Sequence, residues 1–291
     1  MLPFSLPPPA GFVNNPVWDG RHFLIDGLTQ PVLEYSENFA GWSDDLTALH
    51  EEASGDGHPI DIASRQDAIS QVKECNPSSS TVIMEIGCSS GFLIRDLVQF
   101  FPTASVIGAD VVKEPLYRLA QSMPGVPLLR FDLLKCPLPE GSVDILIMLN
   151  VLEHIEDDVG ALKQAFQLLK PGGKLIIEVP AGQSLYDNYD AELQHFRRYS
   201  AFELKNKLRK VGFHICRQSH LGTILFPAFA SVKYLNKLLP QNNAKTVVKD
   251  RASKTGSSPL VNWAMKLESK YFQRVALPFG IRVLVTAQKP G

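Results

Sequence analysis

The chain has 291 residues, 45% of them hydrophobic and 20% charged, with a formal net charge of -1. This is an ordinary globular balance, long enough for one large α/β domain with appendages or for two small domains. The near-zero charge argues against a nucleic-acid partner, which usually brings a basic excess or stripe, and no run of about 18 apolar residues is present to span a membrane.

The four cysteines, Cys75, Cys88, Cys136 and Cys216, form no C-x-x-C pair. A zinc or redox motif is therefore not expected, and the chain reads as cytoplasmic. The first residues, MLPFSLPPPAGF, have neither the basic nor the continuous apolar stretch of a secretory leader.

Residues 1 to about 30 are rich in Pro, Gly and Asn and predict an irregular arm. Trp42, Leu46 and Leu49 fall at helical spacing and predict a cap helix, so residues 1–74 are read as arm and cap. From Thr81 short apolar runs alternate with amphipathic stretches. Strands are predicted at Thr81–Ile86, Ala104–Asp110, Pro127–Phe131, Ser142–Leu149, Lys174–Val179 and Phe213–Gln218. Helices are predicted at Gly91–Phe101, Glu114–Gln121, Asp157–Lys170 (stopping at Pro171-Gly172-Gly173) and Ala201–Val211. This alternation implies a parallel sheet covered on both faces, and Ile145–Leu149 has the continuous apolar character such a strand needs. Lys205–Lys210 reads as the solvated face of a helix. Residues 241–258 are polar and aperiodic and predict a loop. Ser258-Pro259 then opens a helix to about Val275, and Ile281–Gln288 is the last strand.

The chemistry centres on Thr81-Val-Ile-Met-Glu-Ile-Gly-Cys-Ser-Ser-Gly91. A buried strand ends at Gly87 and a helix begins near Gly91, so a ligand can approach the backbone and the helix's unpaired N–H groups. A dinucleotide fingerprint needs G-x-G-x-x-G, but Ser89 fills the second glycine position and no third glycine follows. Asp110, at the end of the next strand, suits either a ribose ligand or the cap of the following helix. Asp132, after the third strand, is an adenine contact or a turn residue. Asn150-Val-Leu-Glu-His154 leaves the fourth strand at the same edge.

Taken together, Glu85-Ile-Gly-Cys-Ser-Ser-Gly91, Asp110, Asp132, Leu138-Pro-Glu-Gly-Ser-Val-Asp144, Asn150–His154 and Leu169-Lys-Pro-Gly-Gly-Lys174 occur in the order found in class I S-adenosylmethionine-dependent methyltransferases. Over about residues 75–220 the chain resembles that family, and within it the small-molecule branch that includes the ubiquinone-biosynthesis methyltransferases. Ser89 departs from the family's usual glycine.

The resemblance implies a Rossmann-like, doubly wound seven-stranded α/β sheet of order 3-2-1-4-5-7-6 with the last strand antiparallel. The methyltransferase domain would occupy 75–291, with a helical insertion at 221–276. The cofactor would be S-adenosylmethionine, leaving as S-adenosylhomocysteine, with Glu85, Gly87, Cys88, Ser89, Gly91, Asp110, Val111, Asp132, Leu133, Asn150 and Val151 around it. A nucleic-acid methyltransferase of the amino-methylating kind would carry a Pro-Pro pair where this chain has Asn150-Val-Leu-Glu.

On the acceptor side, Asp190, His195, Arg197, Arg198 and Tyr199 follow the fifth strand and resemble a D-x4-H-x-R-R-Y segment of a methyltransferase subgroup. An oxygen acceptor must lose a proton; His195 is the candidate base, oriented by Asp190, with His154 a second candidate. Arg197, Arg198 and Tyr199 would bind the substrate; the alternative is a structural ion-pair network. No metal is expected, since Asp190, Glu192 and His195 have no recognised ligand spacing. The reading is methylation of a small-molecule acceptor, most simply at oxygen. The alternatives are carbon or nitrogen methylation, or an inactive cofactor-binding partner subunit. The apolar stretch from Leu221 to Val232 is either a lid helix or a peripheral membrane contact.

Overall fold

In a computed structural model, the described residues are 2–35, 44, 47, 56–238, 258–272 and 275–291. The helical patch at Trp42, Leu46 and Leu49, and the polar loop at 241–257, lie outside them.

The central sheet forms because its strands are rich in β-branched and aliphatic residues. Val82–Ile86 (β5) is buried throughout, and Val143–Leu149 (β8) nearly so. Alternate side chains feed opposite cores. Met84, Ile86, Leu146 and Met148 pack on one face, and Ile83, Ile145 and Ile147 on the other.

Four short strands precede these: Val17–Trp18 (β1), Phe23–Ile25 (β2), Leu28–Gln30 (β3) and Leu33–Glu34 (β4). Ser105–Asp110 (β6), Leu128–Arg130 (β7), Leu169–Pro180 (β9), His214–Leu221 (β10) and Arg282–Gln288 (β11) complete the set. The main sheet runs β10-β11-β9-β8-β5-β6-β7-β4. Its seven principal strands therefore have the expected order 3-2-1-4-5-7-6. β11 is antiparallel to both neighbours, and the β5–β9 pairs are parallel.

The N-terminal arm is not irregular. β1, β2 and β3 form a separate antiparallel sheet, and Leu6, Trp18 and Phe23 enter the main core. β4 adds an eighth, parallel strand beside β7. Strands of two or three residues are too short to show periodicity in the sequence.

Pro59–Glu74 (α1), Phe92–Phe100 (α2), Glu114–Ser122 (α3), Asp158–Leu168 (α4), Asn188–Glu192 (α5) and Ala201–Val211 (α6) lie between strands. Asp157 caps α4 by accepting from the Gly160 N–H at 2.9 Å. Ser200 caps α6, and Gly212, at φ 118°, ends it. α4 stops two residues earlier than its sequence pattern suggests. The chain becomes extended at Leu169, and Pro171-Gly172-Gly173 lies within β9 where the pairing with β8 shifts register.

Between β10 and β11 stand Phe226–Leu238 (α7) and Pro259–Phe272 (α8). Glu268 of α8 accepts from the Gly222 and Ile224 N–H groups at 2.6 and 3.0 Å, which ties the base of this insertion to the end of β10. No described helix is long and apolar enough to cross a membrane.

Asp158, at the start of α4, binds α6 and the loop before it. Its carboxylate accepts from Tyr199 at 2.8 Å and pairs with Lys207 at 2.5 Å and Arg197 at 2.9 Å. Burial opposes its charge, but Lys207, Tyr199 and Arg197 outweigh that and hold the folded pKa below 3.8. A depressed carboxyl stabilises the fold above its unfolded pKa and loses that contribution as pH falls through the folded value. Asp158→Asn should thus cost about 1.5–3 kcal/mol near neutrality. The difference from the unmodified chain should shrink in denaturant titrations taken below about pH 4.

Candidate active site

The carboxyl ends of β5, β6, β7, β8 and β9 converge on one edge, where a doubly wound sheet binds its ligand. After β5 the chain turns through Gly87 and Gly91, at φ 78° and 74°. A Cβ on Gly87 would overlap Val151 Cγ2, and one on Gly91 would overlap Leu119 Cδ1. Ser89, between them, also adopts the left-handed region at φ 47°, a conformation glycine would take without strain.

Asp110 closes this turn. Its Oδ2 accepts from the Ser89 N–H at 2.7 Å, and its Oδ1 from the Val111 and Val112 N–H groups at 2.7 and 3.3 Å. The N-cap of α3 is Lys113, so Asp110 faces the turn and does not serve as a helix cap. Burial raises its pKa, against the three amides that favour its charge. A carboxylate oxygen can accept about two hydrogen bonds, so Oδ2 retains capacity for a further donor. The N-terminus of α2 at Gly91 has no side-chain cap, which leaves backbone donors at the same place.

Two expected cofactor contacts sit beneath the turn. Glu85 is 5% exposed and Cys88 3%. Burial, and then the charge of Asp110, push the Glu85 carboxyl well up, with the Ile94 amide opposing. Cys88 Sγ packs under Gly108. These side chains support the turn from below. Asp132 is half-buried and accepts from the Leu134 N–H at 2.9 Å, capping a short turn that holds buried Leu133. Asn150, at φ 53°, donates through Nδ2 to Glu178 at 3.0 Å, and half-buried Val151 packs against Gly87.

The loop after β9 is organised by Asp190, which is fully buried. It accepts from the Asp187 N–H in a capping box at the start of α5. It also binds His195 Nδ1 at 3.0 Å, Arg198 Nε at 2.8 Å and Lys233 Nζ at 2.8 Å. Burial opposes its charge, but His195, Arg198 and Lys233 together hold its carboxyl well below the usual range. An ionised carboxylate only accepts, so the proton of neutral His195 resides on Nδ1 and Nε2 keeps its lone pair. Burial pushes the His195 pKa down against the pull of Asp190.

His154 stands edge-on to His195, with ring centroids 4.6 Å apart. Glu153, His154 and His195 each bring one ligand-type atom within 4.8 Å of the others. That trio differs from Asp190, Glu192 and His195, the one considered from sequence.

The three expected substrate-binding residues are directed elsewhere. Arg197 pairs with Asp158 at 2.9 Å and donates to the Glu156 carbonyl at 2.7 Å. Arg198 is occupied by Asp190 and the Ala181 carbonyl. Tyr199 is 0% exposed and lies in the core. Buried carboxylates within the protein claim all three.

Lys233 of α7 was missed from sequence. It pairs with both Asp187 and Asp190, at 2.6 and 2.8 Å. Nothing in the local pattern distinguishes it from an ordinary helix-surface lysine. Glu178 was also missed: it is fully buried and receives Ser64 at 2.9 Å, Asn150 at 3.0 Å and Arg282 at 2.7 Å. An isolated acid inside the apolar run Leu175-Ile-Ile-Glu-Val179 was the available signal.

The chain has the Rossmann-like fold of class I S-adenosylmethionine-dependent methyltransferases, and residues 84–177 match the methyltransferase domain family. The chain is 29% identical over 138 residues to a "Probable S-adenosylmethionine-dependent methyltransferase" of Mycolicibacterium smegmatis, covering 46% of this chain and 52% of the relative. It is 30% identical over 111 residues to a trans-aconitate 2-methyltransferase of Azoarcus, covering 38% and 41%. The chain thus spans about half the length, or less, of these curated relatives. A "putative sarcosine dimethylglycine methyltransferase" from Galdieria sulphuraria shares the fold, with a TM-score of 0.58 at 12% identity, over 85% of this chain and 99% of that one.

The turn yields two stability predictions. Gly87→Ala combines left-handed strain of about 1–2 kcal/mol with a clash against Val151, and should destabilise by about 2–4 kcal/mol. Ser89→Gly removes the strain, about 1–2 kcal/mol, and adds about 0.4–1 kcal/mol of unfolded-state freedom. Its denaturation midpoint should equal or slightly exceed that of the unmodified chain.

Proposed function

We propose that this protein transfers a methyl group from S-adenosylmethionine to a small-molecule acceptor, and that the acceptor atom is oxygen. The observation that carries this reading is a pair of devices at one sheet edge. One is the turn held by the Ser89–Asp110 hydrogen bond. The other is the neutral imidazole of His195 held by Asp190.

The residues of the turn fit the cofactor. Asp110 keeps acceptor capacity suited to ribose hydroxyls, and Asp132 and Leu133 stand at the next strand end, where the adenine belongs. The uncapped N-terminus of α2 offers donors to a carboxylate. Gly87 and Ser89 contribute backbone, with Val111, Asn150 and Val151 alongside. When bound, the cofactor supplies an electrophilic methyl group on a sulfonium.

Forming an O–C bond releases the hydroxyl proton, and His195 Nε2 accepts it. The imidazolium that results faces the Asp190 carboxylate, which stabilises it. His154, edge-on to the same ring, positions it. Arg198 and Lys233 keep Asp190 ionised through the cycle. Holding the partners in line and excluding water can supply much of the acceleration.

Calorimetric titration with S-adenosylmethionine and S-adenosylhomocysteine tests the cofactor site. Saturable binding of both is expected, and Asp110→Ala should weaken each by about tenfold or more. Unchanged affinity in a folded Asp110→Ala chain would remove the ribose assignment. His195→Ala should leave cofactor affinity intact and slow turnover of an oxygen acceptor by about 100-fold or more. A normal rate would end its role as base.

A further inference from the structure

We propose that Glu153, His154 and His195 form a binding site for one divalent transition-metal ion at the acceptor end of this crevice. The site stands on its own geometry, and its use in catalysis rests on the methyl-transfer reading.

Two separate segments build the cluster. Glu153 and His154 lie in the turn Leu152–His154 after β8, and His195 lies in the loop after β9. The Phe196 N–H donates to the Glu153 carbonyl at 2.8 Å, so the backbone itself holds the segments together. One ligand atom from each residue falls within 4.8 Å of the others. Ligand bonds of about 2.0–2.2 Å place neighbouring ligand atoms roughly 3.3–3.5 Å apart. Side-chain torsions must therefore draw the atoms in by up to about 1.5 Å.

Glu153 is the second observation. It is 0% exposed, and among the described residues neither carboxylate oxygen has a hydrogen-bond partner. A buried carboxyl group without partners is costly unless a cation or donor satisfies it. Arg198 and Lys233 are paired with Asp190, and Arg282 with Glu178 Oε1, so the local cations are already committed elsewhere.

The third observation is the orientation of His195. Its Nδ1 is held by Asp190 at 3.0 Å, which leaves Nε2 as the ligating atom. A carboxylate behind a histidine is the arrangement that fixes metal-ligating imidazoles and raises their basicity. Two imidazoles and one carboxylate suit zinc, iron, cobalt or nickel and not magnesium or calcium, which prefer all-oxygen shells.

Three protein ligands leave a coordination position open, as in catalytic zinc sites. An acceptor hydroxyl bound there loses its proton to solvent more readily. Its oxygen pair then forms the bond to the methyl carbon, and sulfur keeps the C–S pair. With the ion in place, His195 is a ligand, and the ion replaces it as the source of acceptor acidity. The acceptors favoured are those with a second oxygen near the hydroxyl, able to chelate.

The test uses the untagged full chain, stripped with chelator, and titrated calorimetrically with zinc chloride. Cobalt(II) absorption provides a second readout, and S-adenosylhomocysteine binding is measured in parallel as a check on the fold. The expected result is one zinc per chain and intense visible bands from low-symmetry cobalt. Glu153→Gln should weaken zinc at least tenfold without changing S-adenosylhomocysteine affinity. If Glu153→Gln does not fold, His154→Gln serves the same purpose. Absence of saturable one-to-one zinc binding in a folded chain would overturn the proposal, as would unchanged zinc affinity in a folded variant. Zinc binding without S-adenosylhomocysteine binding would sustain the metal site and sink the methyl-transfer reading instead.

Discussion

A single buried carboxylate, Asp190, holds the loop after β9 and the insertion helix α7 together. Asp190 has no exposure and must keep its charge, so every group around it is constrained to satisfy it. His195, Arg198 and Lys233 supply the positive or donor partners, and the Asp187 N–H supplies a fourth. Each partner comes from a different place: the loop after α5, the approach to α6, the insertion helix α7, and the start of α5 itself. Removing the charge would release all of them at once, because a buried ion pair that loses one partner leaves the others uncompensated. The tautomer of His195 follows from the same charge, and so does the availability of its Nε2.

The turn after β5 is organised in a parallel way. Asp110 ties the Gly87–Gly91 turn to the end of β6 through the Ser89 N–H, as Asp190 ties the acceptor loop to α7. One carboxylate thus fixes each of two loops, and both loops belong to the carboxyl edge of the same sheet. β5 and β8 of that sheet are buried on both faces. Lys233 couples α7 to the acceptor loop, and Glu268 of α8 holds the base of the insertion to the end of β10. The insertion is therefore joined to the site by charge as well as by packing. Trp263, Leu260 and Leu235 remain exposed on its outer surface.

The alternation of buried strands and helices was legible before any coordinates, because strands buried on both faces write themselves as apolar runs and glycine turns punctuate them; the strand order came from the resemblance to class I methyltransferases. The turn at Gly87 and Gly91 was legible for a related reason, as a local feature, whereas Asp110 could have capped the next helix until the fold showed it accepting from the Ser89 N–H. The small N-terminal sheet was not legible, since β1 to β4 contribute two or three residues each and draw their stability from Leu6, Trp18 and Phe23 reaching the distant main core.

The amino-acid sequence by itself determined the parallel sheet and the turns that end its strands. These follow from periodicity, turn chemistry and short-range spacing, which act within a few residues. Only the tertiary structure decided what the charged residues do. Arg197, Arg198 and Tyr199 are adjacent in sequence and look available for a substrate, yet Asp158 and Asp190 take all three. Lys233 is 43 residues from Asp190 and still reaches it at 2.8 Å. Glu153 and His195 meet because a backbone hydrogen bond joins two loops. Electrostatic and hydrogen-bond partners are chosen by distance in the folded state, and that distance is set by the packing of whole elements.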